Sequence, residues 1–302
     1  MIHIKGYLNL IVLGPLLTTI FAFLLGITFV LGNFGSINIW HSLLFLIVAL
    51  LMHMFTNVTD NLEDYKKAVK HSAHGFIENT RVKGLSITKA TRLDIALAIL
   101  IAVLGIYLVF ITTYWLLLIG LWGFGVAFFY SAGKHSLSTT RFGDFASGFT
   151  MGIGITFACI LINVPLNEIN LGLLITAIIA SGLTIFSITN MVLANNICDE
   201  QDDIDLHRMT IVARIGKDNA LKLYAAYYVL MYVSIVVSVI FQWLPWTMLL
   251  VLISIPKVWN NTKIFFKKQV KTETFGLTVQ NINWFLTLTT IALVIYAAIL
   301  YI

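Results

Sequence analysis

The chain has 302 residues, 59% of them hydrophobic and only 11% charged, with a formal net charge of +5 and a mean hydropathy of +0.92. A soluble domain carries about 25% charged residues, so this composition excludes a water-solvated globule and predicts an all-α, polytopic membrane protein. The basic excess needs no nucleic-acid partner, because loop topology and anionic lipid account for it.

Apolar segments follow one another over 7–32, 38–56, 93–112, 114–132, 144–164, 171–194, 220–241, 245–258 and 281–302, predicting nine transmembrane helices in one bundle. Long segments between polar loops indicate helices rather than barrel strands. The eighth is short and carries Pro245 and Pro256. The first is no cleaved signal peptide: only Lys5 precedes it, it is too long for an h-region, and further spans follow. Cys159 and Cys198 form no disulfide framework.

Seven of the 19 Lys and Arg lie in loop 57–92, two in 133–143, three in 195–219 and five in 257–280, while the alternate loops have none. This asymmetry predicts a cytoplasmic N-terminus, an outside C-terminus and a cell-membrane location. Loops 57–92 and 195–219 are the longest hydrophilic stretches, and both are expected to carry short helices that cap a cytoplasmic cavity.

One polar pattern occurs twice, 139 residues apart: Asn57-x-x-Asp60-x-x-x-Asp64 and Asn196-x-x-Asp199-x-x-x-Asp203. Each sits where an apolar segment ends. Positions 0, +3 and +7 of a helix fall within an arc of ~60°, so each half of a single domain, 1–302, would present one amide and two carboxylates together. Two acidic clusters facing each other at the mouth of an apolar pocket suit divalent cations and a diphosphate. Mg2+ takes one or two carboxylates plus phosphate oxygens and waters. Asp60, Asp64, Asp199 and Asp203 are the candidate catalytic and metal-binding carboxylates, with Asn57 and Asn196 beside them and Glu63, Glu200, Asp202 and Asp205 around them. Arg81, Lys83, Lys134 and Arg208 would neutralise outer phosphate oxygens. An interior rich in Phe, Tyr and Trp suits an isoprenoid tail and a cationic intermediate. His53, one turn before Asn57, is expected as a hydrogen-bonded packing residue, and Tyr224, Tyr227 and Tyr228 are candidates for the tail pocket.

These patterns resemble the two aspartate-rich motifs of the UbiA superfamily of intramembrane prenyltransferases, most closely its 1,4-dihydroxy-2-naphthoate polyprenyltransferase branch. In NNICDEQDDIDLHRMTIVARIG, the residues Asn195, Asn196, Asp199, Asp202, Asp203, Thr210 and Gly216 match that branch's second motif, and Arg208 stands at its basic position. YSAGKHSLSTTRFGDFASGFTMGIG resembles the central segment, with Tyr130, Gly133, Gly143 and the acid Asp144 in place, and RVKGLS resembles the stretch after the first motif. The chain departs from the branch at Asp60-Asn61, where amide and acid are exchanged, and at Lys134, which replaces a proline. The resemblance implies Mg2+ and transfer of a polyprenyl group from its diphosphate to an aromatic acceptor, with Tyr130 among the substrate-binding residues. With 1,4-dihydroxy-2-naphthoate the expected product is demethylmenaquinone; 4-hydroxybenzoate, another phenol or haem are the alternative acceptors. From a different class, a cation-coupled secondary transporter would also carry repeated halves and polar sites, but at mid-span.

Overall fold

The computed structural model describes residues 2–70, 86–133, 136–205 and 208–302, and all regular structure among them is helical. In chain order the α-helices are α1 (Ile2–Ile11), α2 (Leu16–Phe34), α3 (Ile39–Lys70), α4 (Ile87–Ile111), α5 (Trp115–Ser131), α6 (Gly143–Asn163), α7 (Leu171–Ala180), α8 (Gly182–Cys198), α9 (Glu200–Asp205), α10 (Ile211–Ile215), α11 (Lys217–Ile240), α12 (Ile255–Lys267) and α13 (Phe275–Leu300).

Among the described residues six helices, α2, α3, α4, α6, α11 and α13, are long and apolar enough to cross a membrane, and α7 with α8 makes a seventh if the bent pair is one span. The other two expected spans differ. Segment 114–132 is the 17-residue α5. Segment 245–258 is no continuous α-helix: a 3₁₀ run, Trp246–Ser254, leads into α12. Pro256 has no N–H to offer the turn before it, and the N–H of Ile255 reaches back only to Leu252 O, three residues away.

The first expected span is also divided. α1 stops at Ile11, Val12 takes a left-handed φ of 53°, and α2 starts after Pro15. A β-branched residue in that conformation costs about 1–3 kcal/mol, so the turn must be held by its surroundings. It is: Asn57 of α3 donates to Ile11 O at 2.8 Å and Asn61 donates to Leu10 O at 3.2 Å. These two amides satisfy carbonyls that the end of α1 leaves open.

The α7–α8 bend is 47° and falls at Ser181-Gly182. Ser181 Oγ lies 2.7 Å from Ala177 O, which also accepts the Ser181 N–H, and 3.0 Å from Thr156 Oγ1 of α6, so the bend is tied into the bundle. α6 lies very close to α8. A Cβ on Gly148 would meet Ile185 O at 2.4 Å, and one on Gly152 would meet Ile185 N at 3.0 Å. This small-xxx-small spacing lets two backbones touch where lipid supplies no hydrophobic drive.

Two apolar clusters result. One joins α2, α6, α8, α11 and α13 through side chains such as Phe21, Phe29, Leu183, Leu193 and Phe285. The other joins α1, α3 and α4 through Leu10, Phe55, Val58, Leu62 and Leu97. α3 has 32 residues. At 1.5 Å per residue it is about 48 Å long, against a hydrocarbon core of about 30 Å. The first acidic motif therefore lies within a continuous helix and not at its end.

Candidate active site

A cavity of about 790 Å³ opens between the two clusters, lined by residues of α2, α3, α4, α5, α6, α8 and α13. This is the usual size for a ligand pocket. Most of the lining is apolar, including Phe45, Val48, Leu108, Trp122, Phe124 and Ile188, and its polar residues include Asn57, Asp60, Tyr130, Asn195 and Lys271.

The first motif is a single helical face, as its spacing predicts. Asp60 Oδ1 accepts from Ser131 Oγ, at the end of α5, at 2.5 Å. Asp64 Oδ1 accepts from Arg208 Nη2 at 2.6 Å. Asn57 lines the cavity too, but its amide nitrogen is committed to the end of α1. Asn61 faces α1 rather than the cavity, so the exchanged Asp60-Asn61 pair leaves the acid on the cavity side.

The second motif departs from a single helical face. α8 ends at Cys198, Asp199 is its C-cap, and α9 starts at Glu200. Asn196 is therefore on one helix and Asp203 on the next. Asn196 Nδ2 donates to Asp144 Oδ1 at 2.6 Å, which brings the acid of α6 into the group. Lys271, in the turn before α13, pairs with Asp199 Oδ2, and Asn195 donates to the same oxygen at 3.1 Å. Glu200 pairs with Lys217 at 3.2 Å and Glu63 with Lys66 at 2.6 Å, so these two acids serve their own surroundings.

Arg208 joins the two motifs. Its guanidinium reaches Asp64 of α3 at 2.6 Å and Asp203 of α9 at 3.5 Å. Burial works against its charge, yet Asp64 and Asp203 outweigh that and raise its pKa further. Burial raises the Asp203 pKa; the Arg208 charge opposes that shift and Asp199 adds to it. Tyr130 lines the cavity within electrostatic reach of Asp60, Asp144, Arg208 and Asp64. Arg81, Lys83 and Lys134 lie outside the described residues.

Every candidate ligand is an oxygen donor, the set a hard divalent cation takes. Oδ2 of Asp144 and Oδ2 of Asp203 are buried with no partner among the described residues. Among those residues no three His, Cys, Asp or Glu converge closely enough to hold an ion alone. An ion here would complete its shell with phosphate oxygens and water, so the residues fit Mg2+ as part of a complex with a diphosphate.

Other expectations shift. Tyr224 and Tyr228 are absent from the cavity wall and belong to a buried polar network. Tyr224 Oη lies 3.0 Å from Tyr228 Oη and 2.8 Å from Thr278 Oγ1, and Asn281 donates to Tyr228 Oη at 2.9 Å. Asn190 donates to Tyr224 O at 2.9 Å and ties α8 to α11. The network fastens helices together, the usual work of polar groups in lipid. Sequence patterns missed Lys271 and Asp144 as partners of the second motif. Lys271 looked like one loop cation among five, whereas Asp144, an acid opening an apolar segment, carried a visible signal.

The profile of the UbiA prenyltransferase family matches residues 16–283. A 1,4-dihydroxy-2-naphthoate octaprenyltransferase of Bacillus subtilis (strain 168) is 27% identical over 226 residues, covering 73% of this chain and 70% of the relative. Among solved structures, the apo UbiA homologue from Aeropyrum pernix K1 superposes with a TM-score of 0.70 at 14% identity, over 92% of this chain and 97% of its own. A UbiA homologue from Archaeoglobus fulgidus bound to DMAPP and Mg2+ gives 0.66 at 13% identity, over 96% and 99%. At such identities the solved structures speak for the fold.

Proposed function

The chain belongs to the UbiA prenyltransferase family, and from that premise we propose that it transfers a polyprenyl group from polyprenyl diphosphate to 1,4-dihydroxy-2-naphthoate, giving demethylmenaquinone in its hydroquinone form. It is a multi-pass membrane polyprenyltransferase, which sets aside the secondary transporter. The observation that carries the finer reading is the meeting of both acidic motifs at Arg208, beside the polar end of a large apolar cavity. The naphthoate acceptor is supported by the Bacillus subtilis relative.

In this reading the whole chain, 1–302, is one domain of two similar halves that crosses the cell membrane nine times. The N-terminus is cytoplasmic and the C-terminus outside; the cap expected in loop 57–92 falls at 71–85, outside the described residues. Asp60, Asp64, Asp199 and Asp203 would hold Mg2+ against the diphosphate, with Asn57 and Asn196 beside them. Bound there, the metal supplies Lewis-acid stabilisation of the departing diphosphate. Arg208, with Arg81, Lys83 and Lys134, gathers charge on the outer phosphate oxygens. Tyr130 closes the polar end of the cavity next to Asp60.

The tail lies in the apolar cavity. Its entry is supported by the wall between α4 and α5, where Ile106, Leu117 and Leu121 line the cavity and are 50%, 43% and 61% exposed. Gly105, Gly120 and Gly123 leave open space in the same wall. The C–O bond to diphosphate breaks, the allylic cation is trapped by the electron-rich ring, a C–C bond forms, and the carboxyl leaves as CO2. The cavity contributes orientation of the two partners and exclusion of water from the cation.

The test uses purified protein with Mg2+ and a polyprenyl diphosphate. 1,4-Dihydroxy-2-naphthoate should be converted and 4-hydroxybenzoate left largely untouched. Asp64→Ala and Asp199→Ala should each abolish transfer, and together cost little more than either alone, because groups acting as a unit are not additive. Either variant keeping more than about a tenth of wild-type activity, a loss of only about 1.4 kcal/mol, would remove that aspartate from the mechanism. Preference for another phenol would move the chain to another branch of the family.

A further inference from the structure

His53 is one of the residues that line the cavity, on the face of α3 that also carries Asn57, Asp60 and Asp64. It precedes Asp60 by seven residues, two helical turns, and so lies about 10 Å further along the helix from the acidic motif. Its neighbours on the cavity wall include the apolar Phe45, Val48, Ala49 and Met52.

One ring nitrogen is fixed. His53 Nδ1 lies 2.7 Å from Thr19 Oγ1 of α2. Hydroxyls within helices commonly turn back to a carbonyl three or four residues earlier. Thr18 does so with Pro15 O, Thr28 with Leu24 O and Thr56 with Met52 O. Thr19 makes no such bond among the described residues, and His53 is its one hydrogen-bonding partner there. We assign its proton to the bond with Nδ1, because no other described group accepts it. A neutral imidazole that accepts at Nδ1 carries its own proton on Nε2. No described group accepts from that nitrogen. It is also absent from the buried polar atoms that lack a partner, which leaves it open to the cavity.

We propose that His53 is the acceptor-binding residue: its Nε2–H donates to an oxygen of a hydroxylated aromatic acceptor, whose ring lies two turns inward from Asp60. The inference rests on the prenyl-transfer reading for its reaction and on His53, Thr19 and the cavity for its geometry. The reactive carbon of the donor follows directly after the diphosphate, so it lies just inside the acidic motif. An aromatic ring held by one oxygen at His53 spans the remaining distance and presents a ring carbon to that atom. Thr19 locks the tautomer and ring angle, as an outer partner does for other histidines that act through one nitrogen. No proton needs to move: a hydrogen bond to the acceptor oxygen orients the ring, and apolar walls favour a bicyclic over a monocyclic acceptor.

The experiment compares wild type with His53→Leu, His53→Gln and Thr19→Val, each with Mg2+ and a polyprenyl diphosphate, and measures KM for donor and acceptor separately. Acceptor binding without turnover is followed by quenching of tryptophan fluorescence, since Trp122 lines the cavity. His53→Leu should raise the acceptor KM and weaken acceptor binding by tenfold or more, with the donor KM within twofold. His53→Gln, which keeps an N–H donor, should recover part of that loss, and Thr19→Val should show a smaller loss of the same kind. An acceptor KM and affinity unchanged in both His53 variants would overturn the proposal. So would a parallel change in both substrates' KM, which marks a merely structural role, or a wild type that binds no hydroxylated aromatic. If His53→Leu fails to fold, His53→Gln and Thr19→Val decide alone. A wild type that binds the acceptor through His53 yet forms no prenylated product would sink the reaction and leave the subsite standing.

Discussion

Asp60 and Asn61 are adjacent, and the helix turns them to different work. Asp60 lines the cavity and accepts from Ser131, while Asn61 donates to Leu10 O at the end of α1. The exchange of amide and acid thus follows from a local need: a carboxylate at 61 would face open carbonyls at the negative end of a helix. Restoring the family order with Asp60→Asn plus Asn61→Asp removes one donor and adds that repulsion. We predict a loss of about 1–3 kcal/mol in stability, read as a lower midpoint of thermal unfolding in detergent; an unchanged midpoint would show that Asn61 does not hold the turn. At this scale the sequence was partly legible. Identical spacing pointed to Asn57, Asp60 and Asp64 as one face, but not to the use of Asn57's amide by α1, because nothing local says that the first apolar segment breaks at Val12. Arg208 was legible as a basic position. Its reach to Asp64 and the Lys271–Asp199 pair were not, since these partners are 144 and 72 residues apart in sequence.

Hydropathy locates elements well and their interruptions badly. α2, α3, α4, α6, α11 and α13 fall where long apolar runs predict them. The breaks at Ser181-Gly182 and Asp199, and the 3₁₀ run before Pro256, depend on single hydrogen bonds that a 20-residue average cannot contain. The same is true of close approach. Gly148 reads as one more small residue in an apolar helix until α8 is placed against it. A Cβ there would lie 2.1 Å from Thr189 Oγ1 and 2.4 Å from Ile185 O, and the backbone oxygen cannot swing away. Gly148→Ala should therefore force α6 from α8 and destabilise by at least about 1–3 kcal/mol, the usual cost of overpacking. Gly276→Ala, where a Cβ meets nothing within 4 Å, is the matched control and should leave the melting midpoint in place. Equal midpoints for both variants would mean that the α6–α8 contact is looser than it stands here. The displacement matters for the site, because α6 carries Asp144 and α8 carries Asn196.

Across the whole molecule, the position of the site follows from where charge can be tolerated. The acids lie at the polar end of a cavity whose far wall is apolar, and the helices around it supply few other formal charges to the interior. That placement was readable from the repeat and from the alternation of loops with and without Lys and Arg, since both patterns follow apolar runs on the side where those residues gather. The depth of the cavity was not readable, because it is made by seven helices meeting, and no one segment records it. The charge alternation makes a prediction about sidedness. Lys267 ends α12 in the basic loop 257–280, and Asn167 lies in the loop between α6 and α7, which has no Lys or Arg; both are exposed. In a background with both native cysteines replaced, Lys267→Cys should resist a membrane-impermeant thiol reagent applied to intact cells and react after lysis. Asn167→Cys should react in intact cells. An excess of Lys and Arg in short loops near span ends holds those loops in the cytoplasm, and α12 with the loop after it carries five between Lys257 and Lys271. Labelling of Lys267→Cys from outside would turn the bundle over and put Lys271, and with it Asp199 and the proposed diphosphate site, on the outer face, against the cytoplasmic reading.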